Sequence, residues 1–283
     1  MFCKVITHDQ IELPLFEQGK RIPHVLHQTY KTNALPKELA HSVEHLKELN
    51  PGWQYKFYDD AAVVSYILQN YGKKIYSYYL RINPKYGAAR ADLFRYLLMY
   101  KEGGVYLDIK STIKKPLDEI IRQEDRYLLC SWCNMKGQPY EGFGMHKELK
   151  DIEDGEYQQW HIIAAPGAPF LREVICKVLK NIDNYRPWRC GVGKDAVLRL
   201  TGPIAYTLAI HPLRTKYQHR YERFSNDCGL IYTTLQDENQ HKTVLKNHYS
   251  KQVESIIQLQ GWRKLLGVFY TWRKKLSRKI RED

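Results

Sequence analysis

The sequence lacks any long uninterrupted apolar run, and none approaches the roughly 18 residues that a membrane-spanning helix needs. It opens on no charged-then-apolar leader, so the expectation is a soluble chain in a reducing, cytoplasmic location. No internal repeat and no low-complexity linker interrupts it, which excludes a solenoid and leaves one large domain with an appendage. Cysteine is sparse: Cys3, Cys130, Cys133, Cys176, Cys190 and Cys228 are scattered, and only Cys130-Ser-Trp-Cys133 has the CxxC spacing. Without a second CxxC or a neighbouring His pair, that spacing does not complete a zinc tetrahedron, and the pair reads as buried structural thiols. No nucleic-acid-binding motif accompanies the basic charge, so nucleic acid is not an expected partner.

What is present is apolar enough to fold, at 43% hydrophobic residues against 27% charged. Tyrosine is abundant at 22 and six tryptophans join it, rings that suit sugar or base stacking as well as half-buried surfaces. The net charge is +13, of which +6 lies between Gly261 and Asp283, where eight Lys or Arg meet two acids. Such a balance favours anionic partners. In that tail Trp262, Leu265, Leu266, Phe269, Trp272 and Leu276 recur at helical spacing among basic residues. The pattern predicts a basic amphipathic helix over 256–283, either packed on the domain or lying on an anionic membrane surface at the inner face of a membrane.

Along residues 1–255, taken as one domain, strand and helix signals alternate. A strand is expected over 21–27, a helix over 36–49 stopped by Asn50-Pro51-Gly52, and a strand over 53–58. A helix over 61–69 capped by Asp59 or Asp60 follows, then one over about 86–101 ended by Gly103-Gly104. Short strands are expected at 105–108 and 160–164, with helices at 169–182 and 194–200. This order argues for an α/β sheet with parallel neighbours.

The segment from Arg90 to Lys110 carries the chemistry. Asp92 and Arg95 are three apart on one helix face, beside an apolar face of Leu93, Tyr96, Leu97 and Tyr100. The strand after the glycine pair delivers Asp108 at its carboxyl end, the edge where open α/β sheets bind ligands. Carboxylates accept from sugar hydroxyls, and Arg suits bidentate contact with phosphate or carboxylate. Taken alone, Asp92 and Arg95 read as a surface ion pair; joined to Gly103-Gly-Val-Tyr-Leu-Asp108, they do not.

Gly87-Ala-Ala-Arg-Ala-Asp-Leu-Phe-Arg-Tyr96 followed by Gly103-Gly-Val-Tyr-Leu-Asp-Ile-Lys110 resembles the Asp-X-Asp region of family 32 glycosyltransferases. Ile22-Pro-His-Val-Leu-His-Gln-Thr29, Asn50-Pro-Gly-Trp-Gln-Tyr-Lys-Phe-Tyr-Asp59, Trp160-His-Ile-Ile-Ala-Ala-Pro-Gly-Ala-Pro-Phe170 and Thr201-Gly-Pro203 resemble its other segments in the same order. The resemblance spans roughly residues 20–250 and implies a GT-A-like fold, a Rossmann-like mixed sheet flanked by helices. It implies a retaining transferase that moves a hexose from a nucleotide-diphosphate sugar, with UDP-hexose favoured over GDP-mannose, to a glycan or lipid-linked glycan acceptor. The alternative is a non-catalytic nucleotide-sugar or carbohydrate binder of the same fold.

By the same resemblance Asp92, Arg95, Asp108 and Lys110 are the candidate catalytic residues. His27, Gln28, Thr29 and Arg90 join Asp92, Arg95 and Asp108 around the donor. Asp195 reads either as an acceptor-side residue or as the cap of the helix that follows. The departure is Lys110, which stands where the family has its second metal-binding acid; an ammonium cannot ligate Mn²⁺ or Mg²⁺. Three readings stay open: Lys110 replaces part of the metal's charge, the ion is held by Asp108 with a C-terminal group such as His248, or the protein is a degenerate binder.

Overall fold

The computed structural model describes residues 12–235 and 252–282. Its elements run β1 (Val25–Thr29), α1 (Lys37–Leu49), β2 (Gln54–Tyr58), α2 (Asp60–Arg81), α3 (Gly87–Glu102), β3 (Gly104–Leu107) and β4 (Thr112–Ile113). Then come α4 (Leu117–Ile120), β5 (Tyr127–Cys130), β6 (His161–Ala164), α5 (Pro169–Asn184), α6 (Pro187–Cys190) and α7 (Gly193–Leu200). The chain closes with α8 (Pro203–Ile210), β7 (Arg220–Glu222), β8 (Leu230–Ile231) and α9 (Trp262–Glu282).

Six strands form a mixed sheet in the order β2-β1-β3-β6-β5-β7, while β4 and β8 pair separately. β1 is parallel to β2 and β3, β6 is antiparallel to β3 and β5, and β7 is parallel to β5. Hence only β6 runs against the others, and the carboxyl ends of β1, β3 and β5 share an edge with the start of β6.

Side chains alternate across this sheet with the strand period. Tyr106, Tyr127, Leu129, Ile162 and Ala164 face the core shared with α2, α3, α5, α7 and α8. Leu26, Val105, Leu107, Leu128, Cys130 and Ile163 face a second core with Leu46 of α1 and Leu117 and Ile120 of α4. Each fully buried Leu, Ile or Phe contributes about 1.5–3 kcal/mol from removing apolar surface from water.

Two elements differ from the expectation. Asp59 caps α2 by accepting from the Ala62 N–H at 2.8 Å, but the helix continues past residue 69 to Arg81 across a break at Gly72, whose φ is 70°. A glycine tolerates that conformation, so the pattern read as an ending is a kink. For α3 the expectation was one apolar face; instead every residue from Asp92 to Tyr100 is buried. The helix lies against the sheet with α2 and α5 at its sides, which leaves it no solvated face.

The α3–β3 turn needs both glycines. Gly103 and Gly104 have φ of 66° and 91°, and a Cβ on them would stand 2.5 Å from Pro166 N and 2.4 Å from Val25 O respectively. This close approach sets where β3 begins, and therefore where Asp108 emerges.

Ile256 and Ile257, placed by the sequence in the tail, are buried in the main core, and α9 starts later, at Trp262. Trp262, Leu265, Leu266, Phe269 and Trp272 are exposed by 44–74%. Among the described residues no helix is long and apolar enough to cross a membrane.

Candidate functional site at the carboxyl edge of the sheet

Asp92, Arg95 and Asp108 come together as a chain of ion pairs. One Arg95 nitrogen, Nη1, sits 2.9 Å from Asp108 Oδ1 and the other, Nη2, 3.3 Å from Asp92 Oδ1. Nη1 also donates to the Gln159 carbonyl at 2.9 Å, and the guanidinium stacks over the Tyr106 ring at 4.9 Å. Asp92 accepts from Thr201 Oγ1 at 2.8 Å and from Gln159 Nε2 at 3.2 Å. Tyr106, two residues before Asp108 and so on the same strand face, donates its hydroxyl to Asp108 Oδ1 at 3.3 Å.

The pair is therefore no surface ornament: the Asp92 and Arg95 side chains are 4% and 5% exposed, whereas Asp108 keeps 25%. Burial raises the Asp92 carboxyl's pKa, and Arg95 opposes that shift. For Arg95 burial acts to lower the pKa, but Asp108, Tyr106 and Asp92 outweigh it and the guanidinium stays charged. Asp108 is the end of the chain that faces solvent, held from behind by two residues whose polar groups are already engaged.

Lys110 lies beside Asp108 on the segment leading to β4. Its Nζ stands 3.8 Å from the centre of the Tyr232 ring, which packs edge-on to Trp132 and lies 5.6 Å from Trp160. Burial pushes the Lys110 ammonium down to about 8, while Asp108 pulls it up. Behind this aromatic wall, Trp132 Nε1 donates to Glu156 Oε1 and His146 Nε2 lies 2.8 Å from Glu156 Oε2.

The other expected residues are placed as follows. Gln28 reaches the edge: its Nε2 donates to the Asp108 carbonyl at 3.3 Å and its Oε1 accepts from Tyr55. Thr29 ends β1 and donates to the Tyr58 carbonyl. His27 is fully buried, its nitrogens 3.1 Å from Tyr58 Oη and 3.1 Å from the Gly103 carbonyl, and burial drops its pKa to about 4. It ties β1 to the glycine turn rather than presenting a group to a ligand. Arg90 donates to the Ile82 carbonyl and stacks on Tyr79, at the α2–α3 junction and outside the ion-paired chain. Asp195 is exposed in the first turn of α7, where no side chain caps the helix. It lies about 9 Å along the axis from Thr201, the C-terminal residue that reaches Asp92. His248 lies outside the described residues.

Gln159, Thr201, Tyr106, Tyr232 and Glu156 were not singled out by their own chemistry in the sequence. Thr201 and the residues after Gln159 did lie inside family-like segments, which was the available signal. Of the CxxC pair, Cys130 is buried and Cys133 half-buried, and the Cys130 thiol hydrogen-bonds with Cys228 instead. A depression between α5 and α8, lined by Glu173, Lys177 and Leu213, contains none of the site residues.

Families with the Asp-X-Asp motif ordinarily hold a divalent metal there. The described residues around Asp108 do not fit one. No group of three or more His, Cys, Asp or Glu that could hold an ion occurs among the described residues. Asp108 already accepts from Arg95, and a cation on it would face the charges of both Arg95 and Lys110.

The pattern described as a glycosyltransferase sugar-binding region containing a DXD motif matches residues 36–127, which contain α1 to α4 and β2 to β4. The chain is 31% identical over 104 residues to an inositol phosphoceramide mannosyltransferase of Schizosaccharomyces pombe, covering 37% of this chain and 28% of that protein. It is 25% identical over 260 residues to a mannosyl phosphorylinositol ceramide synthase of Saccharomyces cerevisiae, covering 89% of this chain and 63% of that one. The chain thus spans less than two thirds of the length of either relative. Among solved structures, the UDP-bound glycosyltransferase domain from the YGT toxin matches with a TM-score of 0.51 at 7% identity, over 89% of this chain and 97% of that one. That likeness concerns the fold, a GT-A glycosyltransferase fold.

Proposed function

We propose that this chain is a DXD-containing glycosyltransferase of family 32 and that it moves a hexose from a nucleotide-diphosphate sugar to a hydroxyl of a glycan or lipid-linked glycan, with retention at the anomeric carbon. The observation that carries the proposal is the chain Asp92–Arg95–Asp108, which fixes one partly exposed carboxylate at the ligand-binding edge of the sheet. In this reading Asp108 accepts from donor hydroxyls. Arg95 and Asp92 are positioning residues that hold its carboxylate in one orientation, and Gln28 braces its backbone. Fixing the donor this way replaces translational freedom lost at the reaction by order established at folding.

The curated relatives are named for mannose transfer, which supports a mannosyl donor over the UDP-hexose expected from sequence. Release of nucleoside diphosphate from GDP-mannose, UDP-glucose, UDP-galactose and UDP-N-acetylglucosamine, each with a hydroxyl-bearing glycolipid acceptor, separates these. Turnover of one donor is the expected result. Binding of a nucleotide sugar without turnover of any would favour the non-catalytic reading.

The exposed Trp262–Trp272 side of α9 supports a lipid-borne acceptor, since a basic helix with its aromatic and leucine side outward suits an anionic bilayer. The full chain is expected to co-sediment with phosphatidylglycerol vesicles, less so in high salt. Replacing Leu265, Phe269 and Trp272 by Gln should weaken partitioning at least about tenfold, given the apolar area those side chains would bury. Equal sedimentation of both proteins would remove the membrane from this picture.

A further inference from the structure

Lys110 is the side chain that the ion-paired chain does not use. Its backbone is fixed: the carbonyl accepts from Thr234 N at 2.8 Å, and the next residue, Ser111, donates to the Tyr232 carbonyl at 2.7 Å. Pairing of Thr112 with Ile231 and of Ile113 with Leu230 extends the clamp. The side chain is thereby laid across the Tyr232 ring, partly buried, beside the solvent-facing carboxylate of Asp108. Among the described residues its Nζ makes no hydrogen bond and no ion pair; the ring face is its contact. An ammonium has three donors, and a partly buried one lacking acceptors is costly unless a ligand supplies them. Arg95 cannot serve that ligand, because Asp92, Asp108 and Gln159 already occupy it.

The same position is where an Asp-X-Asp enzyme has its second acid, and the surrounding donors among the described residues do not fit a metal. A cation is held there all the same, as part of the chain. We propose that Lys110 is the built-in counter-ion for the diphosphate of the donor, and that hexosyl transfer by this protein does not require a divalent metal. The inference rests on the transferase reading above. The bond between the anomeric carbon and the β-phosphate oxygen breaks, and its electron pair stays on the diphosphate. The acceptor hydroxyl oxygen bonds to the anomeric carbon on the same face, and its proton passes to the departing phosphate oxygen. The ammonium takes no part in bond making; it lowers the cost of the charge that develops on the leaving oxygen. The Tyr232 ring and the β4–β8 clamp hold it in place, so little reorganisation is needed when that charge appears.

The test uses the full chain, with UDP, UMP, GDP and GMP as calorimetric probes and nucleotide-sugar turnover as the second readout, each in EDTA and in Mn²⁺. The wild-type protein is expected to bind one nucleoside diphosphate and to turn over its sugar within about twofold in the two buffers. Lys110→Met should lose about ten- to a hundredfold in diphosphate affinity, as for a hydrogen bond to a charged group, with a much smaller change for the monophosphate. Lys110→Asp should bind the diphosphate only when Mn²⁺ is present, since it restores the second acid. Wild-type binding or turnover that vanishes in EDTA would overturn the inference while leaving the transferase reading intact. So would a Lys110→Met protein, folded by circular dichroism, that binds diphosphate as the wild type does. Failure of any nucleotide to bind under either condition would overturn both.

Discussion

Replacing Arg95 by methionine is expected to cost the fold about 3–5 kcal/mol and to abolish hexosyl transfer, because it leaves a buried carboxylate without its cation. Asp92 is 4% exposed, and Arg95 is the only cation within 4 Å of it among the described residues. Thr201 and Gln159 would still donate to Asp92, but neither carries charge. Methionine fills much of the space, so the loss is electrostatic rather than a cavity. The companion change Asp92→Asn identifies the cause. In the double variant the uncompensated charge is gone, and a large part of the stability should return while activity does not, since Asp108 has still lost the guanidinium that orients it. Urea midpoints of the two single variants and the double variant provide the cycle. Additive losses would show that Arg95 and Asp92 act independently, contrary to the geometry.

Asp108→Asn is expected to reduce turnover about 10²–10³-fold, the range for removing one group that stabilises a polar transition state, with a smaller effect on stability than Arg95→Met. Asp108 is the member of the chain with a quarter of its side chain exposed, so its charge is the one a donor can meet. Asparagine keeps the shape and can still accept from Tyr106 and Arg95 through its oxygen. Normal unfolding with lost turnover would separate donor contact from folding. A variant that unfolds readily yet works well when cooled would assign Asp108 to the scaffold instead.

The residues that the fold brings together at the carboxyl edge were legible where regular structure fixed them. Asp92 and Arg95 follow from helical spacing, and Asp108 follows from a strand that starts at two glycines. The Asp59 cap and the helix ending at Leu49 were readable for the same local reason. What the sequence hid is tertiary. Thr201 and Asp92 are 109 residues apart, and Gln159 and Asp92 are 67 apart, so no local pattern announces either bond. α8 reads as apolar without a helical period because it is buried nearly all round, and nothing local to α3 says that α2 and α5 pack along it. The family resemblance put His27 among the donor contacts; strand alternation turns it to the inner side, against Tyr58. Lys110 was legible as a departure, but its meaning depended on Tyr232, which is 122 positions away and reached only through the β4–β8 pairing.

The most direct measurement is a calorimetric titration of GDP-mannose and of UDP-glucose into the wild-type chain and into Asp108→Asn, at equal concentration in one buffer. Assignment of the donor site to the carboxyl edge of β3 predicts that the wild type binds one of the two and that the variant, equally folded, binds it at least about tenfold more weakly. Indistinguishable binding by the two proteins would contradict it.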